Sequence, residues 1–225
     1  MERHFVRELE SLKTTIIKMA SIVEDDVVKS IQALIERNAK LSAEVIENDN
    51  RVDALEIEID NAIIDLLALQ QPLASDLRFI IAAQKINNDL ERIGDHAVNI
   101  AEAVETFLRS KEGEELLDIP KMAEIAKTML RHTIDSFIQV DPMLAQSVLE
   151  NDDMIDELNR KMNSKVIELV RANQKSLECG LELMRVSRNL ERIADLTTNI
   201  AEDVIFLTQA RVVKHHFEEK NGGKE

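Results

Sequence analysis

From Phe5 onward the apolar positions Leu9, Leu12, Ile16, Met19, Val23, Val27, Ile31 and Leu34 advance by three or four residues without a break. That spacing is the seam of one long amphipathic helix and not the alternation of a strand. Asn38 has the chemistry of an N-cap, and a second seam follows at Leu41, Val45, Val52, Leu55, Ile59, Leu66 and Leu69. It stops before Pro72, because proline disfavours helical geometry in the residue ahead of it. Ser75 is the predicted cap of a third helix, whose seam is Ile86, Leu90, Ile93, Ala97, Ile100, Val104 and Phe107.

The polar run Arg109-Ser110-Lys111-Glu112-Gly113-Glu114-Glu115 breaks the period, and the plan then starts again. Val45-Ile46-Glu47-Asn48-Asp49 returns 103 residues later as Val148-Leu149-Glu150-Asn151-Asp152, and Asp141-Pro142 stands where Asn38-Ala39 stood. Leu90-Glu91-Arg92-Ile93-Gly94-Asp95 returns 100 residues later as Leu190-Glu191-Arg192-Ile193-Ala194-Asp195. Each copy runs on into Asn-Ile-Ala-Glu, at Asn99 to Glu102 and Asn199 to Glu202. The three residues lost between the two offsets fall near the turn that holds Pro72 in the first copy.

Three long helices joined by short turns pack nearly antiparallel. The expected fold is therefore all-α, a tandem duplication of a three-helix bundle with six long helices. The expected division is a first repeat over residues 1–110, a linker over 111–118, a second repeat over 119–213 and a flexible tail over 214–225. Only five Gly and three Pro, with no Trp or Tyr, agree with long helices rather than with a turn-rich sheet.

The single Cys179 excludes an intramolecular disulfide, suits a reducing compartment, and reads as a small residue at a helix start. No basic, apolar and small-residue succession marks a signal peptide, and no apolar run approaches the roughly 20 residues that span a bilayer. A cytoplasmic location is expected. The formal charge of −15 disfavours nucleic acid and anionic membrane as main partners and favours cations.

With 43 acidic residues, roughly eight acid-x-x-x-acid pairs arise by chance, so a single such pair carries little information. Placement carries more. Glu91/Asp95 and Glu191/Asp195 recur at equivalent repeat positions, and so do Asp49/Asp53 and Asp152/Asp156 on the preceding helices. Carboxylates four residues apart on one helix repel by a few tenths of a kcal/mol, which a cation would offset.

On the third helix Gln84, Asn88, Glu91, Asp95, Asn99 and Glu102 form a stripe beside the seam; Asp49, Asp53, Glu56 and Asp60 form another on the second helix. In an antiparallel hairpin the two stripes can face each other. The candidate metal ligands are those eight paired acids, with Asn99, Asn199, Glu102 and Glu202 as accessory positions. An all-oxygen set suits iron, Mn²⁺, Mg²⁺ or Zn²⁺, and bridging carboxylates allow more than one ion.

The bland alternative is that the acids are solvated or paired with Arg51, Arg92, Arg160 and Arg192. Glu56 and Asp60 become Asn159 and Asn163 in the second copy, so two sites need not be equal. His96 has Leu196 at its repeat position, and neither it nor His132 is counted as a ligand. Met19, Met122, Met129, Met143 and Met162 read as packing residues.

No Glu-x-x-His pair of the di-iron bundles is present, nor a Walker loop, a Gly-x-Gly-x-x-Gly, a His-Glu-x-x-His or a Gly-x-Ser-x-Gly. No enzymatic activity is expected.

The duplicated Leu-Glu-Arg-Ile-Gly/Ala-Asp followed by Asn-Ile-Ala-Glu, with Asp-x-x-x-Asp on the preceding helix, resembles the PhoU family of phosphate transport accessory proteins. The resemblance spans nearly the whole chain, from His4-Phe5 to the tail. It implies two three-helix bundles, metal held by Glu91/Asp95, Glu191/Asp195, Asp49/Asp53 and Asp152/Asp156, and a homodimer in the cytoplasm. It further implies a negative regulator of phosphate uptake and of the phosphate-starvation response. Such an adaptor links the ATPase subunit of a phosphate ABC transporter to a membrane sensor histidine kinase.

Ala194, where the first copy has Gly94, is a departure expected to hold the neighbouring helix or an ion's water shell farther away and to leave the second site the more altered. A carboxylate-rich bundle for buffering or storing metal is the alternative function, and a helical scaffold whose seams serve oligomerisation is a third.

Overall fold

The computed structural model describes residues 2–69, 72–109 and 116–209, and no strand occurs among them. The first half consists of α1 (Glu2–Glu36), α2 (Ala39–Leu69) and α3 (Ala74–Arg109). The second consists of α4 (Ile119–Gln139), α5 (Pro142–Leu149), α6 (Asp152–Ala172) and α7 (Leu177–Gln209), with one 3₁₀ turn over Gln174–Ser176. The predicted tail over 214–225 and most of the predicted linker lie outside the described residues.

The seams meet as the periodicity requires. Ile16, Val23, Val27, Val52, Ile59, Ile86, Ile93 and Phe107 are all buried in one core cluster. Leu69, the last seam position of α2, is 74% exposed because the helix ends there and leaves nothing to pack against.

The turns α1–α2 and α4–α5 are the same device. Arg37 and Val140, 103 residues apart, take left-handed backbone angles (φ 52° and 56°), and each is followed by a capping residue. Asn38 Oδ1 accepts from the amides of Lys40 and Leu41 at 3.1 and 3.2 Å; Asp141 Oδ1 accepts from Met143 and Leu144 at 2.9 and 3.3 Å. Ser75, by contrast, is not a cap: α3 begins at Ala74, and the Ser75 hydroxyl lies 3.5 Å from Asp76 Oδ1 inside the first turn.

The middle helix of the second half is interrupted at Glu150 and Asn151, which separates α5 from α6. Asn151 Nδ2 donates to the Ser147 carbonyl at 2.9 Å, and its amide donates to Val148. Its counterpart Asn48 instead donates across to Asp26 on α1 at 2.9 Å, and α2 runs through unbroken. The position equivalent to Asp26 is Met129, which offers no acceptor, so the Asn151 amide turns back on its own backbone and competes with the helix ladder.

α3 against α7 is the most extensive helix pair in the molecule, and α1 also packs on α4. α3 and α7 run antiparallel: Lys85 Nζ meets Asp203 at 2.6 Å, His96 Nδ1 lies 2.8 Å from Asn189 Oδ1, and Arg185 meets Glu102 at 3.5 Å. The core is thus continuous across the two halves, and the Glu91–Asp95 and Glu191–Asp195 segments lie near the crossing of the two helices. No helix among the described residues is long and apolar enough to cross a membrane.

Candidate metal site

In the first half α2 lies along α3, and their polar stripes face each other. Glu91, partly buried, has its carboxyl pushed up to about 7 by burial and then by the charges of Asp95, Glu56, Asp53 and Asp49. Asp49 is raised by burial and by Asp53, Asp95 and Asp26; Glu56 is raised by burial and by Asp60, Asp53 and Asp95. Carboxylates of two helices therefore share one electrostatic neighbourhood, and Asp26 of α1 borders it. Among the described residues no Lys or Arg forms an ion pair with Asp49, Asp53, Glu56, Glu91 or Asp95. Arg92 turns to Asp89 at 3.6 Å and Arg51 to Asn48 at 3.2 Å.

The second half is arranged differently. One oxygen each from Asp156 of α6 and from Glu191 and Asp195 of α7 lie within 4.8 Å of one another. Oxygens on opposite sides of a hard cation, each at about 2.0–2.6 Å, are about 4–5 Å apart, so this triad fits the coordination sphere of a single ion. Arg192 occupies part of that space: it meets Asp195 at 2.8 Å and Glu191 at 3.8 Å. Burial still raises both carboxyls; Asp195 adds to the rise of Glu191, and Arg192 opposes it in each.

Asp152 opens α6 and is not part of the triad. Asn99 and Glu102 lie farther along the same stripe and are engaged elsewhere: Asn99 Nδ2 donates to the Asp95 carbonyl at 2.9 Å, and Arg185 of α7 donates to the Asn99 carbonyl at 3.1 Å and pairs with Glu102. Asn199 is exposed and Glu202 partly buried on α7. His96 is directed at α7, and burial lowers its basicity.

Two residues that the periodicity concealed belong to the first cluster's surroundings. Asp26 is 2% exposed, in the middle of the α1 seam between Val23 and Val27, and burial raises its carboxyl. Asn87, fully buried on α3, donates from Nδ2 to Asp60 Oδ1 at 2.9 Å and to the Glu56 carbonyl at 3.1 Å, which fixes that end of the α2 stripe. Asp26 ends the acidic run Glu24-Asp25-Asp26, and its three-residue spacing from the seam position Val23 was the available signal. Asn87 sits beside Ile86 and carried no signal.

Gly94 faces α2. A methyl built on it meets Val52 Cγ1 at 3.4 Å and Asp49 Oδ1 at 3.9 Å, ordinary contacts that displace neither. The expectation that Ala194 holds a neighbouring helix away is thus not needed. What distinguishes the second cluster is Arg192 together with Asn159, which accepts from Ser187 Oγ at 2.7 Å where the first copy has Glu56.

Among the described residues only Asp156, Glu191 and Asp195 bring three carboxylate oxygens within the span of one ion; Asp49, Asp53, Glu56, Glu91 and Asp95 form a looser cluster, and the donor set at both places is oxygen alone. It fits a hard or borderline cation.

Comparison with known proteins agrees with this architecture in both copies. The PhoU domain matches residues 16–104 and again 119–204. A phosphate-specific transport system accessory protein PhoU homolog of Aquifex aeolicus is 40% identical over 215 residues, 95% of this chain and 97% of its own length. One from Clostridium acetobutylicum is 31% identical over 210 residues, 93% of this chain and 96% of its own. The crystal structure of PhoU from Pseudomonas aeruginosa superposes with a TM-score of 0.89 at 31% identity, covering 92% of this chain and all of that one. That of the phosphate transport system regulatory protein PhoU from Streptococcus pneumoniae gives 0.85 at 27% identity, covering 94% and 100%. With two copies of the domain, relatives matched nearly end to end and the same helical architecture, the chain belongs to the PhoU family.

Proposed function

We propose that this protein is a metal-binding adaptor that restrains phosphate uptake and the phosphate-starvation response, linking a phosphate ABC transporter through its ATPase subunit to a sensor histidine kinase. The relatives carry the name of accessory protein of the phosphate-specific transport system, which supports the setting. The observation that carries the metal reading is the triad of Asp156, Glu191 and Asp195, whose oxygens from two helices lie within 4.8 Å of one another, with a looser cluster of acids at the equivalent place in the first half. In the first half no arginine or lysine among the described residues pairs with these acids. Glu91, whose carboxyl is pushed up to about 7, would release its proton to water when an ion binds, and the ion would supply the countercharge the helices lack. An ion held by these acids would tie α2 to α3 and α6 to α7, and would so set the surface offered to partners.

Deleting the gene is expected to raise alkaline phosphatase output in rich phosphate, and the intact gene to restore repression. A variant with Glu91, Asp95, Glu191 and Asp195 all changed to alanine, shown to be folded by circular dichroism, is expected to lose metal in mass spectrometry and to fail in restoring repression. Unchanged phosphatase output on deletion, with altered metal tolerance, would instead favour a metal-buffering bundle.

A further inference from the structure

Both halves hold apolar side chains out to solvent at equivalent places. Ile64 on α2 and its counterpart Ile167 on α6 are 60% and 49% exposed. Leu77 and Ile81 on α3 correspond to Leu177 and Leu181 on α7, and all four are exposed. In the first half the apolar surface continues to Leu67 and to Ile57, which is 61% exposed. Exposed apolar positions gathered on one face and rimmed by polar residues are candidates for an interaction surface.

These residues run into the acidic stripes. On α2 the order Asp53, Ile57, Asp60, Ile64, Leu67 advances by four, three, four and three residues and so occupies one face. On α3 Leu77 and Ile81 lead, at the same kind of spacing, into Gln84, Asn88, Glu91 and Asp95. The result is a strip about 21 Å long, the rise of some 15 helical residues, in which acids and aliphatics alternate.

The second half differs in its cations. Arg160 stands in place of Ile57 and Arg188 in place of Asn88, while Arg192 is turned onto Asp195 and Glu191. Arg192 pairs with both Glu191 and Asp195, whereas among the described residues no Lys or Arg forms an ion pair with Asp53, Glu56, Asp60 or Glu91. One copy therefore carries its cations within the chain, and the other leaves its acids open beside a wider aliphatic surface.

We infer that the α2–α3 face of the first half is the docking surface for a cationic amphipathic helix of a partner protein. In the metal-free protein its Lys or Arg side chains meet Asp53, Glu56 and Asp60, which form no ion pair among the described residues, and a bound ion competes with them. Its apolar side chains cover Ile57, Ile64, Leu67, Leu77 and Ile81. This is helix-to-groove recognition by anchors at helical spacing, and the charge of −15 steers a basic segment towards the protein.

The probe is a fluorescent 18-residue Lys/Leu amphipathic peptide titrated against the full chain in chelator, so that docking is read without metal. A first-half variant, Ile64→Asp with Ile81→Asp, is expected to weaken binding about tenfold or more. The matched second-half variant, Ile167→Asp with Leu181→Asp, adds the same charge and is expected to change binding less than about twofold. Replacing the peptide's lysines by glutamine is expected to abolish binding. Equal responses of the two variants, no binding by the parent, or equal binding of the glutamine peptide would overturn the inference. So would a change of sedimentation mass confined to the first-half variant, since the strip would then be covered by a second copy. All candidate metal ligands remain in both variants, so their metal content tests the metal reading separately.

Discussion

Gly94 and Ala194 are one position in two copies, and the contrast can be measured. An interior helical glycine costs roughly 0.5–1 kcal/mol relative to alanine, and the methyl at Gly94 meets only ordinary contacts. Gly94→Ala is expected to raise stability by about 0.5–1 kcal/mol in denaturant unfolding. Gly180 is the opposite case: a methyl there comes within 3.0 Å of Val166 Cγ1 and Val170 Cγ2, both on stiff branched side chains. Gly180→Ala is expected to lower stability by about 1 kcal/mol in the same assay. At Glu91 the folded carboxyl, near 7, lies above its ordinary value of 4.5. Between those values the folded state holds a proton that the unfolded state has released, so stability falls as pH rises through that window. Metal-free protein is expected to melt at a lower temperature at pH 8 than at pH 5.5, and Glu91→Gln to reduce that difference. An equal slope in the variant would assign the effect to other groups.

At the scale of elements, three non-glycine residues among those described, Arg37, Leu117 and Val140, take left-handed backbone angles. For Val140, branched at Cβ, a φ of 56° costs roughly 1–2 kcal/mol, since the side chain crowds the following carbonyl. Val140→Gly is expected to raise stability by about 1 kcal/mol, read as a melting temperature higher by about 2–4 °C. The caps Asn38 and Asp141 were legible because a side-chain acceptor before a helical seam needs only its own next two or three amides. The break between α5 and α6 was not. Glu-Asn-Asp occurs at both places, and the outcome turns on whether a residue far along the chain, Asp26 or Met129, offers the asparagine an acceptor.

Across the whole molecule, the packing of α3 on α7 and α1 on α4 joins the halves into one core. Calorimetry is expected to show a single cooperative transition, and Ile93→Ala, at a fully buried position near the crossing, to lower it as a whole at a cost of roughly 2–5 kcal/mol. Two separated transitions would mean independent halves. The sequence by itself determined the helices, their seams, the duplication and the pairing of acids along single helices. All of these depend on spacings of three and four residues, which a helix converts directly into a shared face. Only the tertiary structure decided that Asp26 borders the first cluster, that Asp156 and not Asp152 joins Glu191 and Asp195, and that Arg192 closes on its acids while Arg92 turns to Asp89. Those outcomes depend on the rotation and register of one helix against another. The sum of many apolar contacts sets both, and no local spacing records them.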